Sequence, residues 1–291
     1  MLIEAQALSF GYPEHLVGHE ASLAIGAGDV MCLLGPNGCG KTTLFRTMLG
    51  LLPPQGGRVL IGSDDVGRLS RRDIARRVAY VPQAQAALFP YTALDLVLMG
   101  RVAHRGLFSA PTGEDIAIAQ RALTDLGIGA LAGRDVTRLS GGQRQLVIVA
   151  RALAQAAPLI VMDEPTANLD FGNQVRVLSE IRRLAERGIG VVLSTHDPDH
   201  AFAVGTRVAL MHQGTIVASG QPTAVLTAER LQEVYGVEVA VEPLRDGRTI
   251  CAPFYNARQH HEPDHGSFEH GADAGGRIGS TPRHREGEGG H

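Results

Sequence analysis

The stretch "VMCLLGPNGCGKTTLFRTM", residues 30–48, constrains this chain more than any other feature. A short apolar run ends at Gly35, and an apolar-periodic segment begins at Lys41. The spacing G-x-x-x-x-G-K-T between a strand and a helix makes a loop whose glycines let backbone amides close around phosphate oxygens. It dictates a buried strand feeding a helix through a tight turn, the opening unit of an α/β chain. Asn37, Gly38, Cys39, Gly40, Lys41, Thr42 and Thr43 are expected to ring the phosphates of a nucleotide such as ATP. Lys41 reaches the β- and γ-phosphates, and the Thr42 hydroxyl ligates Mg2+. The helix is expected to stop at Pro53 and Pro54.

Further strands are expected to end near the same place. "RRVAYVPQ" reads as a strand closing at Gln83, "PLIVMDEP" as a buried strand followed by Asp163 and Glu164, and "GIGVVLSTH" as one ending in His196. In an open parallel sheet, ligands bind beyond the carboxyl ends of the strands. Asp163 is therefore placed to hold Mg2+, and Glu164 to orient or deprotonate an attacking water. His196 is placed against the γ-phosphate, and the neutral amide of Gln83 can contact the metal or the water. Between Gln83 and the acidic pair, from about 84 to 156, the pattern turns helical. "RVALMHQGTIVASG" reads as a hairpin turning at Gln213 and Gly214, and "GVEVAVEPLRDGRTICAP" as one turning at Asp246 and Gly247. The sum is a parallel or mixed sheet covered by helices, with a smaller helical insert.

That insert holds a second anion site. In "LSGGQRQL", Ser140, Gly141, Gly142 and Gln143 precede the long run "LVIVARALAQ", a helix start whose bare amides and dipole favour negative charge. It lies about a hundred residues from the first site along the chain. A second site that its own nucleotide does not reach makes sense when another copy of the chain supplies the nucleotide. Two copies related by a two-fold axis then sandwich two ATP molecules, each loop facing the other chain's Ser140 to Gln143. ATP becomes the adhesive and its hydrolysis the release, a shift of populations driven by differential affinity.

Composition narrows the remaining classes. A net charge of −3, 4% aromatic residues and no tryptophan leave no basic face or stacking platform for nucleic acid. Three cysteines, Cys32, Cys39 and Cys251, stand in unrelated contexts, which fits a reducing cytosol. No run reaches the length of a membrane span, and no secretory leader is visible, so contact with a membrane would pass through a partner. Cys39 sits at a helix start, where its thiol is expected to be unusually acidic. From about 251 to 291 the chain is rich in glycine, charge and histidine, among them His260, His261, His265, His270, His284 and His291, and reads as a disordered tail.

Taken together, the 35–42 loop, "LSGGQ" and "LIVMDEP" resemble the ATP-binding cassette (ABC) ATPases, the nucleotide-binding subunits of ABC transporters, over about residues 1–240. The resemblance implies a P-loop NTPase (RecA-like) core at about 1–83 and 157–250, with an N-terminal antiparallel β subdomain and an α-helical subdomain at 84–156. It implies that Tyr12 in "LSFGYP" stacks on adenine, with Phe10 as the alternative. It makes Gln83 the Q-loop, Asp170 in "NLD" the D-loop and His196 the switch histidine. The partners implied are a second copy in a head-to-tail ATP sandwich, two membrane permease subunits docking near 88–108, and, indirectly, an external substrate-binding protein. The location implied is the cytoplasmic face of the cell membrane. "YTALDLVLMGRVAH", "RALTDLGIGALAGRDVTRLSGGQRQL" and "VLTAERLQEVYGVEV" resemble type II importers of ferric siderophores, haem, cobalamin or molybdate. An exporter ATPase built from separate chains is the alternative, and a non-transport ABC ATPase a more distant one.

Overall fold

The structure is a computed structural model that describes residues 1–83, 89–105 and 110–255 of the 291. The tail expected from 251 falls outside the described residues beyond Tyr255, as do its six histidines.

Two long strands open the chain, β1 (Ile3–Tyr12) and β2 (His15–Ile25), antiparallel to one another. The apolar run of the phosphate loop is β3 (Val30–Leu34), all five residues buried, and α1 (Lys41–Met48) follows the loop. The helix ends at Leu49, earlier than the prolines suggested, because the Leu49 and Gly50 amides bond back to Phe45 and Thr47. Next, β4 (Gly56–Ile61) returns to pair with β1, and the two-residue β5 (Asp64–Asp65) closes a four-stranded antiparallel sheet in the order β2-β1-β4-β5. A short helix, α2 (Arg71–Arg77), takes the arginines of "RRVAY", so β6 is confined to Val78–Val81.

The insert follows as α3 (Ala93–Leu98), α4 (Gly113–Asp125) and α5 (Gly141–Ala154). All three start with a reciprocal cap: Thr92 with Asp95, Thr112 with Asp115, and Ser140 with Gln143. Each satisfies two orphan amides of a first turn, which fixes where the helix begins. Apolar faces of these helices meet one another through Val97, Ala119, Leu123, Leu146 and Ala150, all buried.

The chain then returns to the main sheet. It forms β7 (Leu159–Met162), α6 (Phe171–Glu186), β8 (Gly190–Thr195), α7 (Pro198–Val204), β9 (Arg207–His212) and β10 (Thr215–Gly220). The second sheet runs β10-β9-β3-β8-β7-β6, parallel except for β10, whose hairpin turns at Gln213 and Gly214 as expected. Alternation along β3 splits its side chains between two cores. Met31 and Leu33 face Phe45, Ile25 and Met211, whereas Val30, Cys32 and Leu34 join the core shared with α5, α6 and α7. Finally α8 (Pro222–Val225) and α9 (Ala228–Tyr235) lead to a hairpin, β11 (Val239–Pro243) and β12 (Thr249–Pro253). β12 crosses the expected 250/251 boundary, and its Cys251 amide donates to Asp199 Oδ1 at 2.7 Å. Contacts divide the chain after Phe254. Among the described residues, no helix is long and apolar enough to cross a membrane.

Candidate active site

Sheet order decides the site. β3 lies beside β8, β8 beside β7, and β7 beside β6, all parallel, so their carboxyl ends point one way. The four segments that leave those ends are the 35–42 loop, His196, the pair Asp163 and Glu164, and Gln83. Residues spread over some 160 positions of sequence become neighbours along one edge.

The loop passes so close to β9 that a Cβ on Gly35 would stand 2.3 Å from the Met211 carbonyl oxygen. Only glycine fits there. Asn37 and Gly38 are exposed at its tip, while Thr43 and Lys41 are buried behind it. Lys41 Nζ donates to the carbonyls of Gly35 (2.7 Å) and Pro36 (3.0 Å), and lies 3.9 Å from Glu164 Oε1.

Three residues approach the Glu164 carboxylate. Besides Lys41, His196 Nδ1 stands 3.6 Å from Oε1, and Gln83 Nε2 donates to Oε2 at 3.3 Å. The Glu164 backbone sits at φ 48, left-handed for a non-glycine residue. Strain of that kind costs on the order of 1–3 kcal/mol and needs the surroundings to hold it. The Glu164 amide donates to Ser194 Oγ at 2.9 Å, and the same hydroxyl donates to Asp163 Oδ1 at 2.7 Å. Ser194, 0% exposed in the middle of "VVLSTH", is thus a site residue that alternation alone did not single out. A hydroxyl in an otherwise aliphatic buried strand was the available signal.

Asp163 is buried, and among the described residues its Oδ2 has no hydrogen-bond partner. A cation would satisfy that orphaned oxygen, so the residues fit Mg2+. Thr42 and Asp163 offer hard oxygens. Gln83, whose amide nitrogen is turned to Glu164, can offer only its carbonyl end.

The aromatic question has a steric answer. Phe10 is 0% exposed beneath the loop, whereas Tyr12 is 41% exposed and its hydroxyl accepts from Arg46 at 3.3 Å. Tyr12 is the ring left to face a ligand. The expectation of an acidic Cys39 thiol is overturned. Cys39 is only 7% exposed, and burial pushes its pKa up against the pull of nearby Lys41. Desolvation outweighs the helix start.

The second anion site is less bare than its sequence suggested. Ser140 Oγ accepts from the Gln143 amide and Gln143 Oε1 from the Ser140 amide, both at 3.2 Å. This leaves Gly141 and Gly142 as first-turn amides with no carbonyl to reach inside the helix. Space beside Gly141 is open, whereas a Cβ on Gly142 would meet Leu169 Cδ2 at 3.3 Å and Asn168 O at 3.4 Å. The helix start therefore packs on the segment that ends at Asp170, whose carboxylate caps α6 by accepting from the Asn173 amide at 2.8 Å.

The ABC transporter family profile matches residues 19–167, which contain the loop, the Ser140 helix and the acidic pair. The chain belongs to the ABC transporter family. Among the most similar relatives of this ABC ATPase is an ABC transporter ATP-binding protein of Haemophilus influenzae, 41% identical over 235 residues, covering 81% of this chain and 89% of the relative. A cobalamin import ATP-binding protein of Halobacterium salinarum is 42% identical over 215 residues, covering 74% of this chain and 54% of its own length. A solved ABC transporter described as of metal-chelate type, in an inward-facing conformation, superposes with a TM-score of 0.76 at 33% identity, covering 87% of this chain and 98% of that one. As an ABC ATPase the chain binds and hydrolyses ATP, and the mixed sheet with its antiparallel β subdomain and helices is the P-loop NTPase fold.

Proposed function

We infer that this ABC ATPase powers uptake of a metal chelate (a ferric siderophore, haem or cobalamin) or of molybdate through separate membrane subunits, from the cytoplasmic face of the cell membrane. The observation that carries the catalytic half is the approach of Lys41, His196 and Gln83 to the one Glu164 carboxylate. Water attacks the γ-phosphorus of ATP, its proton passes to Glu164, and the bond to the β-phosphate oxygen breaks to release ADP and phosphate. His196 and Lys41 stabilise the charge that builds on the transferring group, and Gln83 orients Glu164 or the water. Mg2+, when bound, neutralises part of the phosphate charge. Thr42, Asp163 and Gln83 would hold it. Asn37, Gly38, Cys39, Gly40 and Thr43 contribute the backbone cradle, and Tyr12 the adenine face.

The partner reading rests on two surfaces. Ser140, Gly141, Gly142 and Gln143 carry anion-binding amides, and beside them Phe171 is 81% and Val175 46% exposed just past Asp170. That combination supports a second copy as the occupant, with ATP between. On the insert, Phe89, Tyr91, Met99 and Val102 are all exposed, which supports docking of membrane subunits in 88–108, of which 89–105 are described. An external binding protein delivers the cargo to those subunits. The packing of α3, α4 and α5 on each other supports a helical subdomain at 84–156 between the two parts of the core, 1–83 and 157–250.

Import is supported by the likeness to the cobalamin import protein, and a metal chelate as cargo by the likeness to the metal-chelate type transporter. The test is elemental. Cell-associated iron, cobalt and molybdenum are measured under limiting supply in cells lacking this chain, with rescue by wild type or by Glu164→Gln. A deficit in one element restored by wild type alone is the expected result. Normal levels of all three would overturn the import reading.

A further inference from the structure

His200 stands outside the segments that face the nucleotide. It lies on α7, four residues beyond His196, with its side chain 12% exposed. Its Nδ1 stands 3.2 Å from Thr195 Oγ1 and 3.4 Å from Thr166 Oγ1, and its Nε2 3.5 Å from Asp197 Oδ2. Each partner lies in a segment that the reaction uses. Thr195 precedes His196 and Asp197 follows it. Thr166 lies in the turn between Glu164 and Asp170, a turn tied by Ala167 N–H to Glu164 O (3.1 Å) and Leu169 N–H to Thr166 O (3.2 Å).

The chemistry of the contacts is consistent. A carboxylate beside Nε2 places the ring proton there, which leaves Nδ1 as the acceptor for a hydroxyl hydrogen. The Thr195 hydroxyl donates to Nδ1 and accepts the Asp197 amide at 3.0 Å. Thr195 and Thr166 are 3% and 6% exposed, so with the imidazole in place their hydroxyls have little access to water. Burial lowers the pKa of His200, which keeps the ring in the neutral form these contacts require. An aliphatic side chain would fill the same space and remove the ring nitrogen that both buried hydroxyls approach.

We propose that His200 is a positioning residue, joining the turn after Glu164 to the loop that carries His196 so that both side chains keep their place beside the γ-phosphate. This rests on the reading of Glu164 and His196 given above. His200 touches neither nucleotide nor water in that reading; it acts through Thr166 and Thr195. Phosphate affinity belongs to the 35–42 loop, so the role separates turnover from binding.

The experiment compares His200→Ala, His200→Asn, Thr166→Val and Glu164→Gln with wild type, by steady-state ATPase and by equilibrium ATP affinity. His200→Ala is expected to lower kcat at least tenfold while ATP affinity stays within twofold. His200→Asn, which offers an amide oxygen near the Nδ1 position, is expected to recover most of that loss. Thr166→Val keeps the imidazole and the shape, and is expected to lower kcat severalfold; it carries the test should His200→Ala not fold. An unchanged kcat in His200→Ala and Thr166→Val, beside a Glu164→Gln that is inactive, would overturn the positioning role alone. So would a parallel loss of kcat and ATP affinity that Asn does not recover. Normal turnover by Glu164→Gln would overturn the reading of Glu164, and the positioning role with it.

Discussion

The Ser194 hydroxyl donates to Asp163 Oδ1 over 2.7 Å and accepts the Glu164 amide over 2.9 Å, so one side chain of β8 holds both acids that follow β7. Its two bonds add to the β7–β8 pairing that brings the acids beside His196. Ser194→Ala removes that bridge and leaves the buried Asp163 carboxylate with neither oxygen satisfied among the described residues. Losing a buried hydrogen bond costs about 1–3 kcal/mol. A share of that falling on the transition state slows turnover about tenfold. We expect kcat to fall by that order with ATP affinity nearly unchanged, as measured by steady-state ATPase and equilibrium binding.

Lys41 and Glu164 approach within 3.9 Å, yet their substitutions should fail differently. Lys41→Ala takes a cation from the phosphate cradle and should weaken ATP binding itself. Glu164→Gln retains shape and polarity but cannot take a proton, so binding should persist while turnover falls about 10²–10⁴-fold, the usual contribution of a positioned base. Size-exclusion chromatography with ATP should then show Glu164→Gln held as a dimer. Turnover near the wild-type rate would remove Glu164 from its role.

The three thiols should be poor nucleophiles at neutral pH. Burial pushes Cys32 up to about 12 and raises Cys39, while burial and then Asp199 and Asp197 raise Cys251. A raised pKa means less thiolate at any given pH, so alkylation should climb only as pH passes above the ordinary cysteine range. Peptide mass spectrometry after iodoacetamide treatment should show Cys251, the least buried, labelled first and Cys32 last. Rapid labelling of Cys39 at pH 7 would contradict its burial.

The insert should keep one of its ties until strongly acid pH. The Arg101 guanidinium, 2.9 Å from Asp115 Oδ1, and the Thr112 cap hold the Asp115 carboxyl at about 2. A carboxylate whose folded pKa lies below its unfolded value stabilises the fold above the ordinary range near 4, and loses that contribution as pH falls through 2. Arg101→Gln should therefore raise the midpoint of acid unfolding followed by circular dichroism. An unmoved midpoint would mean that Asp115 owes its state to the cap alone.

What the sequence disclosed follows from the range over which each signal acts. The 35–42 loop, the acidic pair, His196 and the Ser140 helix each combine local backbone geometry with an adjoining strand or helix, and such patterns are written contiguously. The Gln213 and Gly214 turn was legible for the same reason. Ser194 and His200 were not, because their roles lie in partners 31 to 34 residues away, Asp163 and Thr166. The ionisation of Cys39 was misjudged on similar grounds. A helix start is visible in sequence, but the burial of the thiol, which outweighs the pull of Lys41, is not. Likewise Phe10 and Tyr12 are two positions apart on β1 and differ only in burial, which the fold decides.

Gly141 and Gly142 are adjacent, yet their environments predict opposite consequences for an added methyl group. At Gly142 a Cβ meets Leu169 and Asn168 of the same chain at 3.3 and 3.4 Å, so Gly142→Ala makes the Leu169 side chain give by a few tenths of an ångström. At Gly141 an added Cβ meets no described residue outside its own helix turn within 4 Å, so Gly141→Ala should fold as wild type and bind ATP with ordinary affinity. If the Gly141 amide faces a phosphate supplied by a second copy, the methyl group meets that nucleotide instead. ATP-dependent dimerisation and turnover should then fall together, at least tenfold, while thermal stability is unchanged. The crossed test uses a mixture of Gly141→Ala with Lys41→Ala. In a two-fold sandwich one composite site of the mixed dimer carries both defects and the other carries neither, so activity should return when the two inactive chains are combined. Absence of any recovery would argue that each chain completes its own site.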